Sequence, residues 1–221
     1  MKPWTIAGEA VSPDGTKLEL ISHDGEYVIK ADGLPLMSTR MHYSELELAR
    51  FACSKLKVGA RVMIGGLGLG YTLGAALELL PKQGTALQVE LVPEVIEWNL
   101  GPLASFANRP LNDERTELVQ GDVTKIIRKS KNEFDAIMLD VDNGPSALVN
   151  ERNNWLYTDL GLQAIKGALK NGGKVAIWSA DDEPKFVIKM KRNGLRATKH
   201  FVRAHNKKGG IRHVIFTGQK N

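Results

Sequence analysis

The glycine-rich stretch Gly65-Gly66-Leu67-Gly68-Leu69-Gly70 follows the apolar run Arg61-Val62-Met63-Ile64 and precedes a helical pattern that starts at Tyr71. Glycines in that position let a backbone turn sharply and approach a ligand, and the helix behind them offers unpaired N–H groups. Glu90 closes the next apolar run, twenty residues past Gly70, where a carboxylate can accept hydrogen bonds from both ribose hydroxyls of a nucleoside. Gly121-Asp122 and Asp140 close two further runs, so Glu90, Asp122 and Asp140 are expected together at the carboxyl edge of a parallel sheet, where such sheets bind ligands. Counted from Gly66, the last glycine of a dinucleotide-binding Gly-x-Gly-x-x-Gly would fall on Tyr71, so the spacing is not that of a dinucleotide site. Asp122 also reads as a helix N-cap before Val123, a role compatible with ligand binding.

The elements that must hold these residues alternate along the chain. Strands are predicted at 61–64, 86–90, 117–120, 134–139 and 174–178, with helices at 71–80, 93–103, 123–129 and 156–169 between them. That order predicts an α/β fold with a doubly wound, Rossmann-like parallel sheet. A helix at 184–192 and two strands, 196–204 and 212–217, complete it as an antiparallel edge, with Asn206-Lys207-Lys208-Gly209-Gly210 as the turn, which makes seven strands. Pro13-Asp14-Gly15, Asp24-Gly25 and Asp32-Gly33 punctuate short alternating runs ahead of residue 40 and predict a small antiparallel β-subdomain. The expected division is residues 1–43 for that subdomain and 44–221 for the nucleoside-binding domain. A helix over 44–56 joins them, with Leu46, Ala49, the Arg50 stem, Cys53 and Leu56 on its packed face.

Three acids at the strand ends beside a glycine loop resemble the class I AdoMet-dependent methyltransferase fold, which implies S-adenosyl-L-methionine beside Gly65, Gly66 and Gly68. The resemblance places the ribose on Glu90 next to Leu91, and the adenine on Asp122 between Gly121 and Val123. Within that superfamily the chain resembles the spermidine synthase family from about Asp32 to Trp178. Asp32-Gly33, Ser38-Thr39-Arg40, Tyr43-Ser44-Glu45-Leu46 and Val89-Glu90 are similar to segments of that family. Asp140-Val141-Asp142-Asn143-Gly144-Pro145, followed by Leu156-Tyr157, resembles its Asp-Ser-Ser-Asp-Pro gatekeeping segment. The resemblance implies that Asp140 and Asp142 bind an amine and take its proton, that Tyr43 belongs to the site, and that the protein is a homodimer.

The sequence departs from that family at two points. The family's glycine loop is Gly-Gly-Gly-Asp-Gly-Gly, whose Asp faces the aminopropyl ammonium of decarboxylated AdoMet; Gly68 stands there in this chain. Asp142 follows Asp140 by two residues, and Asn143 occupies the family's second Asp position. The loss of a counter-charge at Gly68 favours AdoMet itself, and hence methyl transfer to a small nucleophile such as an amine. Aminopropyl transfer from decarboxylated AdoMet is the alternative, and a non-catalytic nucleoside- or RNA-binding protein a further one. The polar segment from Asp140 to Tyr157 is long enough to form a lid, with Trp155 and Tyr157 as loop anchors or substrate contacts.

Composition narrows the remaining classes. The 221 residues include 30 Lys and Arg against 25 Asp and Glu, yet eleven of the basic residues and none of the acidic ones lie in 185–221. The rest of the chain is therefore acidic, and the basic segment is a candidate contact for RNA. One cysteine, Cys53, excludes an internal disulfide, and its surroundings predict a core thiol. The five histidines show no paired ligand spacing, so no metal site is expected. Neither a Gly-x-Ser-x-Gly elbow nor a phosphate loop of the Gly-x-x-x-x-Gly-Lys-Ser/Thr type occurs. No apolar run suits a signal peptide or a membrane span, which predicts a cytoplasmic protein without membrane contact.

Overall fold

The computed structural model describes residues 3–141, 155–205 and 210–221. Residues 5–38 form a four-stranded antiparallel meander in the order β1 (Thr5–Val11), β2 (Lys17–His23), β3 (Glu26–Ala31), β4 (Leu34–Ser38). Its two tightest turns are Asp24-Gly25 and Asp32-Gly33, all four residues at positive φ. That is the geometry whose twist matches two antiparallel strands joined by two residues. Leu20 and Ile29 point from this sheet into the main core.

α1 (Tyr43–Cys53) leads into the second sheet. Its buried face is Leu48, Ala49, Ala52 and Cys53, while Arg50 is exposed and Leu46 and Leu56 are half-buried. Ala49 and Cys53 of the predicted face are in the core and Leu46 and Leu56 pack against it, whereas Arg50 turns outward and Leu48 and Ala52 are buried in addition, because tertiary contact with the sheet sets which side turns inward. Burial pushes the Cys53 thiol up to about 12, so it keeps its proton, beside Met138.

The main sheet contains β5 (Arg61–Gly65), β6 (Thr85–Glu90), β7 (Thr116–Gln120), β8 (Phe134–Leu139), β9 (Leu169–Ser179), β10 (Leu195–Arg203) and β11 (Arg212–Lys220). Their order is β10-β11-β9-β8-β5-β6-β7, with β11 antiparallel to both neighbours and β5 to β9 mutually parallel. This is the Rossmann-like, methyltransferase-type arrangement, and the chain direction reverses on either side of β5 and β8, where an open sheet forms its ligand crevice.

Alternation along the central strands divides the core in two. Val62, Ile64, Ala136 and Met138 face one side, with α1, α2 (Tyr71–Leu79) and α3 (Pro93–Leu100). Met63, Ile137 and Leu139 face the other, with α4 (Val123–Lys129), α5 (Asp159–Ala168) and α6 (Pro184–Arg192). Strands covered on both faces read as continuous apolar runs, which is why they were legible in the sequence. The helix predicted to begin at Leu156 starts at Asp159, after a short turn over Trp155–Tyr157, with Thr158 as its N-cap. No helix among the described residues is long and apolar enough to cross a membrane.

Candidate functional site

The glycine loop runs from the end of β5 to the start of α2 and is pinned from three directions. The Gly66 N–H donates to the carbonyl of Val89, and the Asp140 N–H donates to the carbonyl of Gly65, at 3.0 and 2.9 Å. Asn99, on α3, donates through Nδ2 to the Gly68 carbonyl at 2.8 Å. Glu90, beside Val89 at the end of β6, adds a further anchor: its Oε2 accepts from the Leu67 N–H and its Oε1 from the Val92 N–H, both at 2.8 Å. Burial raises the Glu90 carboxyl above its ordinary value, and these backbone donors oppose the rise. A buried acceptor with two backbone donors holds loop and strand end in one geometry.

A cavity of about 450 Å³ opens over this loop. Gly66, Gly68, Glu90, Leu91, Gly121, Asp122, Val123 and Asp140 line it, so the structure brings together nearly all the residues singled out for the nucleoside. Gly65 lies behind the wall, where a Cβ would meet Val123 and Leu139. Tyr43 is not among the lining residues either. Its N–H is spent on the carbonyl of Ala204, its ring lies 5.9 Å from the Arg50 guanidinium, and Glu45 reaches the cavity instead. Asp122 caps α4: its Oδ1 accepts from the Thr124 N–H at 2.8 Å and from the Thr124 hydroxyl at 2.6 Å. It lines the cavity as well, so capping does not withdraw it from the site.

Opposite the glycine loop, the walls come from distant parts of the chain. Met37 of β4 covers Gly68 so closely that a Cβ there would lie 2.7 Å from the Met37 sulfur. Ala204, Ile211 and His213, from the ends of β10 and β11, close another side together with Trp178 at the end of β9. Nothing in the local sequence announces Met37, Trp178 or His213 as site residues, since tertiary packing alone carries them there.

The electrostatics of the lining are one-sided. Asp14, Glu45, Glu90, Asp122 and Asp140 face the cavity, and among its described lining residues there is no Lys or Arg. Asp140 accepts from the Thr72 hydroxyl at 3.1 Å, and burial raises its carboxyl above the usual range. Burial, together with the charge of Asp140, raises Glu45 too. Two neighbouring carboxyls that cannot both ionise cheaply are ready to receive a cation.

Asp142, Asn143, Gly144 and Pro145, with the rest of the proposed lid as far as Asn154, lie outside the described residues. Beyond them Leu156 and Tyr157 are buried in the core, and Trp155 lies 3.9 Å beneath the Arg128 guanidinium. Neither aromatic is among the described lining residues of the cavity.

A Rossmann-like sheet with a glycine loop, an acid at the end of its second strand and an acidic crevice defines the class: an α/β domain of methyltransferase type. The chain matches the spermine/spermidine synthase domain over residues 42–206 and belongs to that family. It is 30% identical over 148 residues to the polyamine aminopropyltransferase of Saccharolobus islandicus, and 29% identical to that of Saccharolobus solfataricus. These alignments cover 67% of this chain and 47% of each relative, so the chain spans about half the length of the curated relatives it matches. Among solved structures, a spermidine synthase in complex with the transition-state analogue AdoDATO superposes with a TM-score of 0.79 at 22% identity, covering 98% of this chain and 74% of that one. A spermidine synthase from Thermotoga maritima gives 0.74 at 19% identity, over 98% and 72%. At these identities the likeness is one of fold.

Proposed function

We propose that the protein is an aminopropyltransferase that binds decarboxylated AdoMet over the glycine loop and transfers its aminopropyl group to an amine. The observation that carries this reading is the make-up of the lining: five carboxyl groups with no Lys or Arg among the described residues, so that a cation is the ligand charge it can satisfy. AdoMet brings a carboxylate of its own, which such a lining repels. Decarboxylated AdoMet brings an ammonium and a sulfonium with no anionic group, which the same lining attracts. The missing Asp at Gly68, taken alone, pointed to AdoMet and methyl transfer. It removes one carboxylate from a cavity that keeps five others, and the family match and the curated relatives also favour aminopropyl transfer.

In the reaction the acceptor ammonium loses a proton to the Glu45–Asp140 pair. The freed nitrogen lone pair attacks the aminopropyl carbon bound to sulfur, and the carbon–sulfur bond breaks with its electron pair moving to sulfur, which leaves neutral methylthioadenosine. Glu90 and Asp122 hold the nucleoside, and catalysis is chiefly alignment of nucleophile, carbon and sulfur. Calorimetric titration with decarboxylated AdoMet, AdoMet and methylthioadenosine, followed by mass spectrometry of products formed from diamines, tests the reading. Tighter binding of the decarboxylated form and an aminopropylated product support it. Tighter binding of AdoMet with a methylated product overturns it in favour of methyl transfer, and binding of none of the three overturns the enzyme reading.

A further inference from the structure

Glu45, Asp140, Trp178 and His213 line one end of the cavity and are tied together there. The Ser44 hydroxyl, buried behind this end, donates to Glu45 Oε2 at 2.6 Å, and its oxygen lies 3.0 Å from His213 Nδ1. A hydroxyl carries one hydrogen, and here it goes to Glu45, so the hydrogen of the second contact belongs to Nδ1. Burial holds His213 below the ordinary imidazole range, against the opposing charge of Asp181, so the ring is neutral and carries a single N–H. Nε2 is therefore the nitrogen with the lone pair. No described residue pairs with it, yet it is not one of the buried polar atoms left without a partner, so it is open to the cavity that His213 lines. The ring is held in place from two sides. The Tyr43 N–H donates to the Ala204 carbonyl at 3.1 Å, which keeps Ser44 against the β10–β11 pair, and Trp178 stands edge-on to His213 with centroids 4.6 Å apart.

We infer that His213 is an acceptor-binding residue whose Nε2 takes a hydrogen bond from the reacting amine, so that the site selects a primary amine. This rests on the amine-acceptor reading above and deepens it. A primary ammonium has three N–H groups, and this end of the cavity offers three kinds of acceptor to match them: the carboxyl groups of Glu45 and Asp140, and Nε2 of His213. A dimethylated ammonium has a single N–H. Once that hydrogen turns to a carboxylate, Nε2 faces a methyl group and is left without a partner. A site built to receive an N–H rejects an analogue that lacks it, because its own polar atom is then desolvated and unpaired. The neutral ring also adds no positive charge beside a cation. Ser44 does not touch the amine in this arrangement; by accepting from Nδ1 it fixes the tautomer that leaves Nε2 free to accept.

The test uses the full chain saturated with methylthioadenosine, with straight-chain diaminobutane as one probe and its tetramethyl derivative, dimethylated on both nitrogens, as the other. Calorimetry on the unmodified protein should give diaminobutane the tighter binding. His213→Phe should weaken diaminobutane by about tenfold and leave the tetramethyl derivative within about twofold, whereas His213→Gln, which keeps an acceptor oxygen at similar reach, should hold the preference within about threefold. Equal losses for the two probes in His213→Phe, or no loss for either, overturn the inference. Nuclear magnetic resonance of the imidazole nitrogens gives a second reading that needs no substitution. Nε2 should resonate as an unprotonated nitrogen and move when diaminobutane is added, and Ser44→Ala should raise the share of the tautomer protonated at Nε2. An Nε2 that carries the hydrogen in the unmodified protein overturns the inference, as does one that diaminobutane leaves unmoved. The proposed function is read separately: diaminobutane that binds as described but yields no aminopropylated product from the decarboxylated donor overturns that function and leaves His213 as an amine-binding residue.

Discussion

A Cβ added to Gly66 would lie 2.2 Å from the carbonyl oxygen of Asp140, so the glycine loop and the end of β8 meet at a point that admits only hydrogen. Gly66 is also at φ 82°, a region that side chains rarely occupy. The obstacle is backbone and cannot swing aside. Gly66→Ala is therefore expected to lower stability by about 3 kcal/mol or more and to abolish donor binding, measured by urea unfolding and calorimetry. Unfolding within about 0.5 kcal/mol of the parent would contradict the close approach.

Gly68 makes the opposite case. Its φ of 51° is one that Asp tolerates better than most residues, and the atoms a side chain would meet belong to the flexible end of Met37. Gly68→Asp should fold at a cost of about 1 kcal/mol, and it adds a carboxylate where the donor's ammonium would lie. Binding of decarboxylated AdoMet relative to AdoMet should improve by about tenfold in the variant, more so when Met37→Ala makes room. An unchanged ratio would place the donor's chain end elsewhere.

Asp122 caps α4 and lines the cavity, and one pair of substitutions separates capping from the proposed nucleoside contact. Ser can replace it as an N-cap, accepting from the N–H of Thr124, whereas Ala cannot. Asp122→Ala should cost about 1 kcal/mol of stability and Asp122→Ser a few tenths, by thermal unfolding. Both should weaken nucleoside binding by a similar factor, since both lose the carboxylate. Full binding by Asp122→Ser would confine the residue to capping.

The raised carboxyls of Glu45 and Asp140 predict a pH dependence with a defined sign. In the folded protein they stay protonated above the ordinary carboxylate value of about 4, so stability is greatest on the acid side and declines as pH rises through the raised values. A cationic donor needs the charged forms and therefore pulls protons off. Donor affinity should strengthen from about pH 6 to about pH 9, and binding at the lower end should release protons, seen as an enthalpy that varies with the ionisation heat of the buffer. Glu45→Gln should flatten that dependence.

Much of the framework was legible in the chain. The apolar runs of β5, β6, β8 and β9 must be buried on both faces, the Asp-Gly turns permit few alternatives, and a glycine loop followed by Glu90 at a strand end has a narrow set of meanings. Local chemistry sufficed there because strand, turn and cap preferences act over a few residues. On α1 the spacing finds Ala49, Cys53, Leu46 and Leu56 but not that Arg50 turns outward and Leu48 and Ala52 inward, since which side of a short amphipathic helix is covered depends on its partner.

Tertiary structure decided what the sequence could not. The four-stranded sheet delivers Met37 over Gly68, the hydrogen bond from Tyr43 to Ala204 draws the β10–β11 pair over α1, and His213 comes within 3.0 Å of Ser44 across 169 residues. The same packing turns Glu45 rather than Tyr43 toward the cavity and gathers five carboxylates on one lining. Such contacts join segments whose residue types carry no mutual signal, and burial shifts a carboxyl only once the surrounding walls exist. The sequence thus determined the scaffold and the glycine-loop side of the crevice, whereas the acidic lining and its neighbour His213 follow from how distant segments of the chain close over it.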